Sequence, residues 1–359
     1  MILVLFSFQA QAQAPLGLYE GLMGNSGVAL SDPTAASAYN PSLLSRKKKD
    51  SYSISGNSFG TFSSKSENSK ISSLNLDPSY ISTILVGSSL VHEFFIANVS
   101  PGSKLNSIVE FGDANAAGKS EFNLNSTRVL FGYSMAFRRI PFALSYFGQY
   151  NQTEANGFSE LTSLISNFRS TSVTKGDLKY LGLGISVSGH NDTSFGYTLG
   201  YQIRTRQLIV YKKDQMTTTS YIHGGTSATD YYQQVSSSEN QSSVVNGASF
   251  AIGHGFVSGD HEFITDSQFN EKSDLNYSFN MTQTFGYRLN SRAGNQFLVG
   301  FAHQLGPEVK YVGQSAYYSV GMSWLKNSLR STFGAYALSS RIDQDVFAAG
   351  LTFGSEFNY

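Results

Sequence analysis

A strict alternation of apolar and small polar residues is the feature that most limits how this chain can fold. Residues 193–204 read Thr-Ser-Phe-Gly-Tyr-Thr-Leu-Gly-Tyr-Gln-Ile-Arg, with aromatic and aliphatic side chains on one face and small or polar ones on the other. The same period of two recurs in residues 129–137, 179–188, 277–289 and 318–324. Successive side chains of a strand point to opposite faces, so this pattern indicates many two-faced strands.

The chemistry of the second face favours a membrane barrel over a soluble sandwich, whose core face is also apolar. The second face carries Gly, Ser, Thr and Asn rather than Lys and Glu, as expected for the lining of a crowded lumen. Aromatic residues also collect near the strand ends, where a barrel meets the membrane interface. We therefore expect an all-β fold, a transmembrane antiparallel β-barrel. A soluble all-β adhesin is the alternative.

The spacing of the alternating runs predicts about fourteen strands, an even number as in single-chain bacterial barrels. The predicted strands are 51–62, 79–87, 91–100, 121–137, 141–153, 176–188, 193–208, 246–257, 260–270, 276–289, 295–304, 314–325, 329–339 and 345–359. Short turns alternate with longer connections at 63–78, 101–120, 154–175 and 209–245. Short periplasmic turns and long outer loops alternate in this class of barrel, so we expect both termini in the periplasm.

The last strand carries a further indication of an outer-membrane barrel. Residues 345–359 alternate as the other strands do, and the chain ends on an aromatic residue, Tyr359. Gly354, Phe357 and Tyr359 occupy the positions of the terminal strand signal found in bacterial outer-membrane barrels. The localisation that we expect is therefore the bacterial outer membrane.

An apolar stretch opens the chain and leads into small residues at alternate positions. Ala10 and Ala12 form an A-x-A pattern behind this apolar stretch. The arrangement is typical of a secretory signal peptide, which we expect to span residues 1–12. The basic residues that usually precede the apolar part are missing here. A buried strand is the alternative interpretation.

Residues 13–48 are too polar for a membrane helix and too irregular for a strand. Their central part, "GNSGVALSDPTAASAYNPSLL", is rich in small residues. A wide barrel leaves a lumen that wall side chains do not fill, and small residues such as Gly24 could pack there. Asp32 and Asn40 could bond to a polar lining, and Pro41 would fix the backbone where the segment leaves the lumen. A disordered periplasmic tail is the alternative.

This order of parts resembles the FadL/TodX family of outer-membrane hydrocarbon transporters: a signal peptide, a small-residue segment ending Asn-Pro-x-x-Leu from Asn40, then the strands. Residues 76–104 resemble, more weakly, the second and third strands of that family. Ser42 departs from it, since Ala usually follows Asn-Pro there. The resemblance implies that residues 13–48 form a hatch inside a barrel of residues 49–359. It also implies passive transport of hydrophobic molecules, such as fatty acids or hydrocarbons.

In that family, ligand can leave sideways at a kink in the third strand, and Asn98, Pro101 and Gly102 are the matching residues here. Proline cannot donate to the sheet ladder and glycine weakens it, so pairing should break at this point. The sequence therefore offers a candidate lateral opening. The alternative is that Pro101 and Gly102 merely begin an outer loop.

The family also binds ligand in a groove between outer loops, and loop 154–175 supplies apolar residues that could form one. They are Phe158, Leu161, Leu164, Ile165 and Phe168. Their spacing predicts an amphipathic helix with an apolar stripe. Packing of that stripe against loop 209–245 is the alternative.

Other function classes find no support in the sequence. The charges balance, with 25 basic and 25 acidic residues, so no basic face favours nucleic acid. The chain has no cysteine, its histidines lack metal-ligand spacing, and no Ser-His-Asp set has supporting context. We expect no enzyme, no metal and no cofactor. The expected partners are outer-membrane lipid and a hydrophobic small molecule, or bound lipid or detergent; a structural barrel forming a homo-oligomer is the alternative.

Overall fold

The alternating runs form strands because each of them can place its apolar side chains on one face and its small ones on the other. The computed structural model describes residues 17–63, 75–112, 116–163, 168–222, 231–246, 248–271, 279–291, 294–305, 315–341 and 345–359. Its strand segments are β1 (Ser51–Ser63), β2 (Asn75–Val86), β3 (Leu90–Gly112), β4 (Ala116–Phe137), β5 (Phe142–Ser163), β6 (Phe168–Asp192), β7 (Tyr197–Arg204), β8 (Gln207–Ile222), β9 (Tyr231–Asn246), β10 (Ser249–Ser258), β11 (His261–Glu271), β12 (Phe279–Asn290), β13 (Gln296–Leu305), β14 (Ser315–Lys326), β15 (Leu329–Arg341) and β16 (Asp345–Asn358).

These segments form a closed antiparallel barrel of 14 strands. Two of the wall strands are interrupted: β7 continues as β8 after Thr205 and Arg206, and both parts pair with β6. In the same way β9 continues as β10, which pairs with β7. β1 pairs with β16 from Ser51 opposite Asn358 to Ser63 opposite Val346, which closes the wall. The predicted fold class and strand number are therefore confirmed.

The outer surface of the barrel is apolar, and the inner face is small and polar. In β14, Tyr318, Val320 and Met322 are 52%, 45% and 56% exposed, whereas the alternate residues Ser319 and Ser323 are buried. Exposed aromatic and aliphatic side chains recur on the outer face of the other strands. A closed wall with this distribution turns its apolar side outward, as a barrel in lipid does.

One side of the barrel wall is much taller than the other. β6 has 25 residues and β3 has 23, whereas β11 has 11 and β13 has 10. The stretches 101–120, 154–175 and 209–245 are largely strand, so the prediction of long loops there was wrong for the described residues. The alternation fades in these stretches, but a ladder of backbone hydrogen bonds needs no apolar face.

Within the described residues, helical structure is confined to short stretches of the N-terminal part. Gly21–Met23 and Pro41–Arg46 are 3₁₀ turns, and Ala36–Tyr39 is one turn of α-helix. In the described part of the chain, none of the helices has the length and apolar character needed to cross a membrane. Residues 17–50, called the N-terminal segment below, precede β1 and lie against inward-facing residues on all sides of the wall.

Candidate functional site

The N-terminal segment occupies the lumen and supplies much of the buried core. Leu22 and Met23 are fully buried and pack with Leu30 against Ile264 and Leu298 of the wall. Each apolar side chain of this kind gains about 1.5–3 kcal/mol on full burial. The core of this barrel therefore lies between the segment and the wall.

Glycines on the inner face of the wall make room for the backbone of the N-terminal segment. A Cβ at Gly300 would lie 1.8 Å from the nitrogen of Gly24, and one at Gly200 would lie 1.9 Å from the carbonyl oxygen of Val28. Gly253, Gly255 and Gly286 also meet backbone atoms of the segment, whereas Gly321, Gly334 and Gly354 meet the side chains of Leu22 and Leu18. No side chain fits at such distances, so these small inner-face residues are matched to the segment rather than to an open channel.

Buried carboxylates of the wall bind backbone amides of the N-terminal segment. Asp266 accepts from the amides of Gly27 (2.7 Å) and Val28 (2.9 Å). Glu262 accepts from the amide and the hydroxyl of Ser31, at 2.8 and 3.0 Å. An intramolecular hydrogen bond contributes roughly 0.5–1.5 kcal/mol to stability, and together these bonds fix the path of the segment across the lumen.

A third wall carboxylate joins the segment to strands β2 and β3. Glu93 on β3 is fully buried and accepts from the amide of Ser37 at 2.8 Å and from the Tyr80 hydroxyl at 2.7 Å. Tyr80 belongs to β2 and stacks on Phe95 of β3, with ring centroids 5.9 Å apart. The position of the segment and the packing between these two strands are thus connected through one side chain.

Glu20 holds together two parts of the N-terminal segment itself. Its carboxylate accepts from the amide and hydroxyl of Thr34, both at 2.6 Å, and from the amide of Ala35 at 2.8 Å. Burial raises the pKa of Glu20 above its ordinary value, although these hydrogen bonds pull the pKa the other way. The folded protein therefore binds a proton at Glu20 more readily than the unfolded chain does.

This raised pKa predicts that the stability of the wild-type protein contains a pH-dependent part due to Glu20. That contribution is complete below the ordinary pKa of a glutamate and is lost as the pH rises through the raised pKa of the folded state. E20Q stays neutral and keeps an acceptor for the two amides, so it should lose less stability on going to alkaline pH. Thermal denaturation in detergent across a pH series measures the difference.

The matched control for this experiment is E154Q, which changes an exposed glutamate on β5. E154Q should show the wild-type pH dependence. If E20Q loses stability with rising pH as steeply as wild type, Glu20 does not titrate in the way described.

A layer of charged residues closes the end of the lumen at which the short turns lie. Its members, called the charged layer below, are Asp32, Arg46 and Lys47 of the segment and Asp192, Glu262, Arg288, Arg330 and Glu356 of the wall. Lys47 lies 2.9 Å from Asp32 and 3.1 Å from Glu356, and Arg330 lies 3.2 Å from Asp32. Arg46 pairs with Asp192, and Arg288 pairs with Glu262. These ion pairs place charged groups across that end of the lumen.

The wall has a discontinuity between β2 and β3. Their pairing runs from Val86 opposite Val91 to Tyr80 opposite Ala97. Beyond Tyr80 and Ala97, the described residues of β2 and β3 do not pair with each other. β2 continues along β1, and β3 continues along β4. We call this boundary, which begins at Tyr80 and Ala97 and runs away from the short turn that joins β2 to β3, the seam.

An apolar cluster lies inside the lumen at the base of the seam. It consists of Tyr80, Phe95 and Ala97 of the wall with Ala35 and Tyr39 of the N-terminal segment, and Ala38 and Leu130 pack against it. The ladder between β3 and β4 shifts register between Asn98 and Ser100 and again before Ser103. Asn98, Pro101 and Gly102, the residues predicted from sequence as a lateral opening, are therefore at the seam, where pairing is irregular.

The residues predicted as part of a hatch lie in three different settings. Gly24 has a φ of +72° and touches the wall backbone at Phe301. Asp32 belongs to the charged layer. Asn40 donates to the carbonyls of Val28 (2.7 Å) and Gly189 (3.2 Å) and caps the 3₁₀ turn that Pro41 begins. All of them contact the wall or the rest of the segment.

The predicted ligand groove of loop 154–175 is not helical. Phe158 and Leu161 lie in β5, and Phe168 begins β6, so the prediction of an amphipathic helix was wrong for these residues. Leu164 and Ile165 lie outside the described residues. The apolar residues were read at helical spacing, but the pairing of β5 with β6 determines the backbone here. A groove at this place stays a prediction.

The acidic residues that bind the N-terminal segment were not predicted from the sequence. Glu262 and Asp266 are four residues apart, on the inner parity of β11, and Glu93 has the same parity in β3. Isolated carboxylates among small inner-face residues were the available signal. Their partners are backbone amides of a distant segment, which no local pattern identifies.

Comparisons with known proteins show the same fold in hydrocarbon channels. The monoaromatic hydrocarbon channel CymD has a TM-score of 0.70 at 10% identity, with 98% of this chain and 99% of that chain covered. The Ralstonia pickettii toluene transporter TbuX gives 0.65 at 12% identity (97% and 99% covered). The Pseudomonas putida toluene transporter TodX gives 0.63 at 11% identity (95% and 97% covered).

Sequence comparison adds nothing to this likeness, because no family model and no curated relative matches the chain. The resemblance to FadL/TodX-type channels inferred from the sequence is confirmed at the level of the fold. Identities of 10–12% do not by themselves carry the ligand of those proteins over to this one.

Proposed function

We propose that this chain is an outer-membrane channel that lets small hydrophobic molecules pass without an energy source. The observation that carries the proposal is the combination of a lumen closed by the charged layer and a wall that loses its pairing at the seam, beside the apolar cluster. The shared fold with CymD, TbuX and TodX supports it, since those proteins are described as a hydrocarbon channel and toluene transporters. The same likeness favours a channel over an enzyme.

The proposed route runs from the outer end of the lumen to the apolar cluster and then sideways through the seam. Straight passage would have to separate pairs such as Lys47 with Glu356, and removing one partner of a buried ion pair costs about 3–5 kcal/mol. The seam lies above the charged layer and requires no such separation. Asn98, Pro101 and Gly102 would form the edge of this lateral exit.

The proposed role of residues 13–48 is that of a hatch. The described part of that stretch, from Gly17 onward, is largely buried inside the barrel and would block straight passage to the end at which the short turns lie. We also propose that residues 1–12 are a signal peptide and that residues 49–359 are the barrel. The short turns would then face the periplasm, together with the charged layer.

Among hydrophobic molecules, we propose neutral hydrocarbons in preference to fatty acids. Glu93 is buried beside the stacked pair of Tyr80 and Phe95 and accepts hydrogen bonds from Tyr80 and Ser37, so it offers no positive charge to a ligand carboxylate. Arg204, a cation near this cluster, already donates to the carbonyl of Ala38. Tyr39, Tyr80 and Phe95 instead offer ring faces, which suit a compact apolar molecule.

The proposal is tested by uptake into vesicles that contain the purified protein. Radiolabelled toluene should equilibrate into an apolar trap several-fold faster than in vesicles without protein, whereas octanoate should gain little. Equal toluene rates with and without the protein would contradict the channel. A gain for octanoate as large as for toluene would contradict the choice of hydrocarbon and leave the channel standing.

A further inference from the structure

Three tyrosine–histidine pairs lie on the outer face of the barrel, where the proposed channel does not use them. They are His92 with Tyr133, His254 with Tyr197, and His261 with Tyr287. In each pair the histidine Nδ1 faces the tyrosine hydroxyl, at 2.7, 2.7 and 2.8 Å respectively. The ring centroids are 6.0, 6.1 and 6.1 Å apart. The same arrangement thus occurs on three separate pairs of neighbouring strands.

All six residues lie close to the short turns. His261 begins β11 and Tyr197 begins β7, and the other four lie within five residues of a strand end at that side of the barrel. Exposed phenylalanines flank the histidines: Phe94, Phe256 and Phe263 are 51%, 46% and 52% exposed. Exposed charged residues, such as Arg138 and Asp260, begin at the adjoining turns. The pairs therefore lie where an apolar outer surface gives way to a charged one.

The hydrogen bond in each pair determines which ring nitrogen is free. When the tyrosine hydroxyl donates this hydrogen bond, Nδ1 is the acceptor. A neutral ring with Nδ1 occupied in this way keeps its proton on Nε2. Among the described residues, none is hydrogen-bonded to Nε2 of His92, His254 or His261.

We propose that these pairs bind the phosphodiester groups of phospholipids in the inner leaflet of the outer membrane. Each Nε2–H donates to a phosphate oxygen, and the neighbouring phenylalanines contact the acyl chains. A charged acceptor strengthens such a bond roughly twofold over a neutral one, which favours the phosphate over the ester carbonyls. The inference rests on the membrane placement proposed above but not on the transported molecule.

The test is native mass spectrometry of the full chain in detergent, with three probes added separately. The probes are dioleoyl-phosphatidylethanolamine, dioleoylglycerol, which lacks the phosphate, and inorganic phosphate, which lacks the acyl chains. Wild type should retain phosphatidylethanolamine and neither of the others. The triple variant H92F/H254F/H261F keeps the apolar surface but loses the donors, and it should retain several-fold less phosphatidylethanolamine.

The matched control is H303F, which removes a histidine on the outer parity of β13 that stacks on Phe301 near the other end of the barrel. H303F should retain lipid as wild type does. Equal retention by the triple variant overturns the proposal, as does retention of dioleoylglycerol equal to that of the phospholipid. Binding of inorganic phosphate alone would identify an anion site and also overturn a lipid site.

A second measurement needs no variant and covers the case in which the triple variant does not fold. Nitrogen-15 spectra of the histidine rings should show the Nε2–H form at His92, His254 and His261, and addition of phosphatidylethanolamine should shift these signals. Unshifted signals overturn the proposal. Toluene uptake by H92F/H254F/H261F should equal that of wild type, so failure of the lipid sites and failure of the channel are distinguishable.

Discussion

A disulfide across the seam is expected to abolish hydrocarbon uptake, and a reductant should restore it. Ser79 and Asn98 are the next positions in the register that ends with Tyr80 opposite Ala97. A bond between S79C and N98C would hold β2 against β3 where the apolar cluster reaches the wall. The chain has no cysteine, so no other thiol can compete. The measurement is toluene uptake by vesicles before and after reduction.

The control is a disulfide between the same two strands just below the seam. Ile81 and Ile96 are already paired and face outward, so I81C with I96C should form a bond without changing uptake. Both bonds are verified by gel mobility with and without reductant. Undiminished uptake by the cross-linked S79C/N98C protein would show that molecules do not leave through the seam, and the channel would then require another exit.

The second large effect is expected from one added methyl group on the inner wall. In G300A the new Cβ would lie 1.8 Å from the nitrogen of Gly24, a backbone atom that cannot turn aside. Ordinary overpacking costs about 1–3 kcal/mol, and this overlap should exceed that range. We therefore expect the N-terminal segment to leave its place while the barrel persists. In planar bilayers, G300A should show large ion-conducting openings that wild type lacks.

The matched substitution is G148A, in the same wall but on the outer face. There the new Cβ would meet ends of the Phe131 and Leu183 side chains, which can move. G148A should conduct as wild type does. The N-terminal segment should also become sensitive to protease in G300A and remain protected in G148A. A closed, protease-resistant G300A would show that the segment can shift within the lumen without being released.

The strand pattern could be predicted because it follows from a local period of two. The alternation of Phe195, Tyr197 and Leu199 with small residues needs no knowledge of the rest of the chain. The prediction weakened where the outer strands lose that alternation, as in β8 and β9. Backbone pairing continues there without an apolar face, and composition alone could not distinguish such strands from loops.

Much less of the candidate site could be predicted. Irregular pairing near Pro101 could be expected, because proline and glycine disturb a ladder wherever they occur, although β3 itself continues through this point. The partners of Glu93, Glu262 and Asp266 were not visible, because each acid binds backbone atoms more than fifty residues away. Glycines of the inner face were understood as lining for a crowded lumen, but not as contacts for the chain's own backbone.

The unequal height of the wall has a consequence for how molecules would reach the outer end of the lumen. β8 alone has 16 residues, which at about 3.3 Å per residue is roughly 50 Å along the strand. The tall strands stand on one side of the barrel, and the strands on the opposite side are short. A molecule outside the cell would therefore reach the lumen more easily from the low side than from the tall side. A compound that arrives from the low side would meet the lumen-facing side of the tall strands.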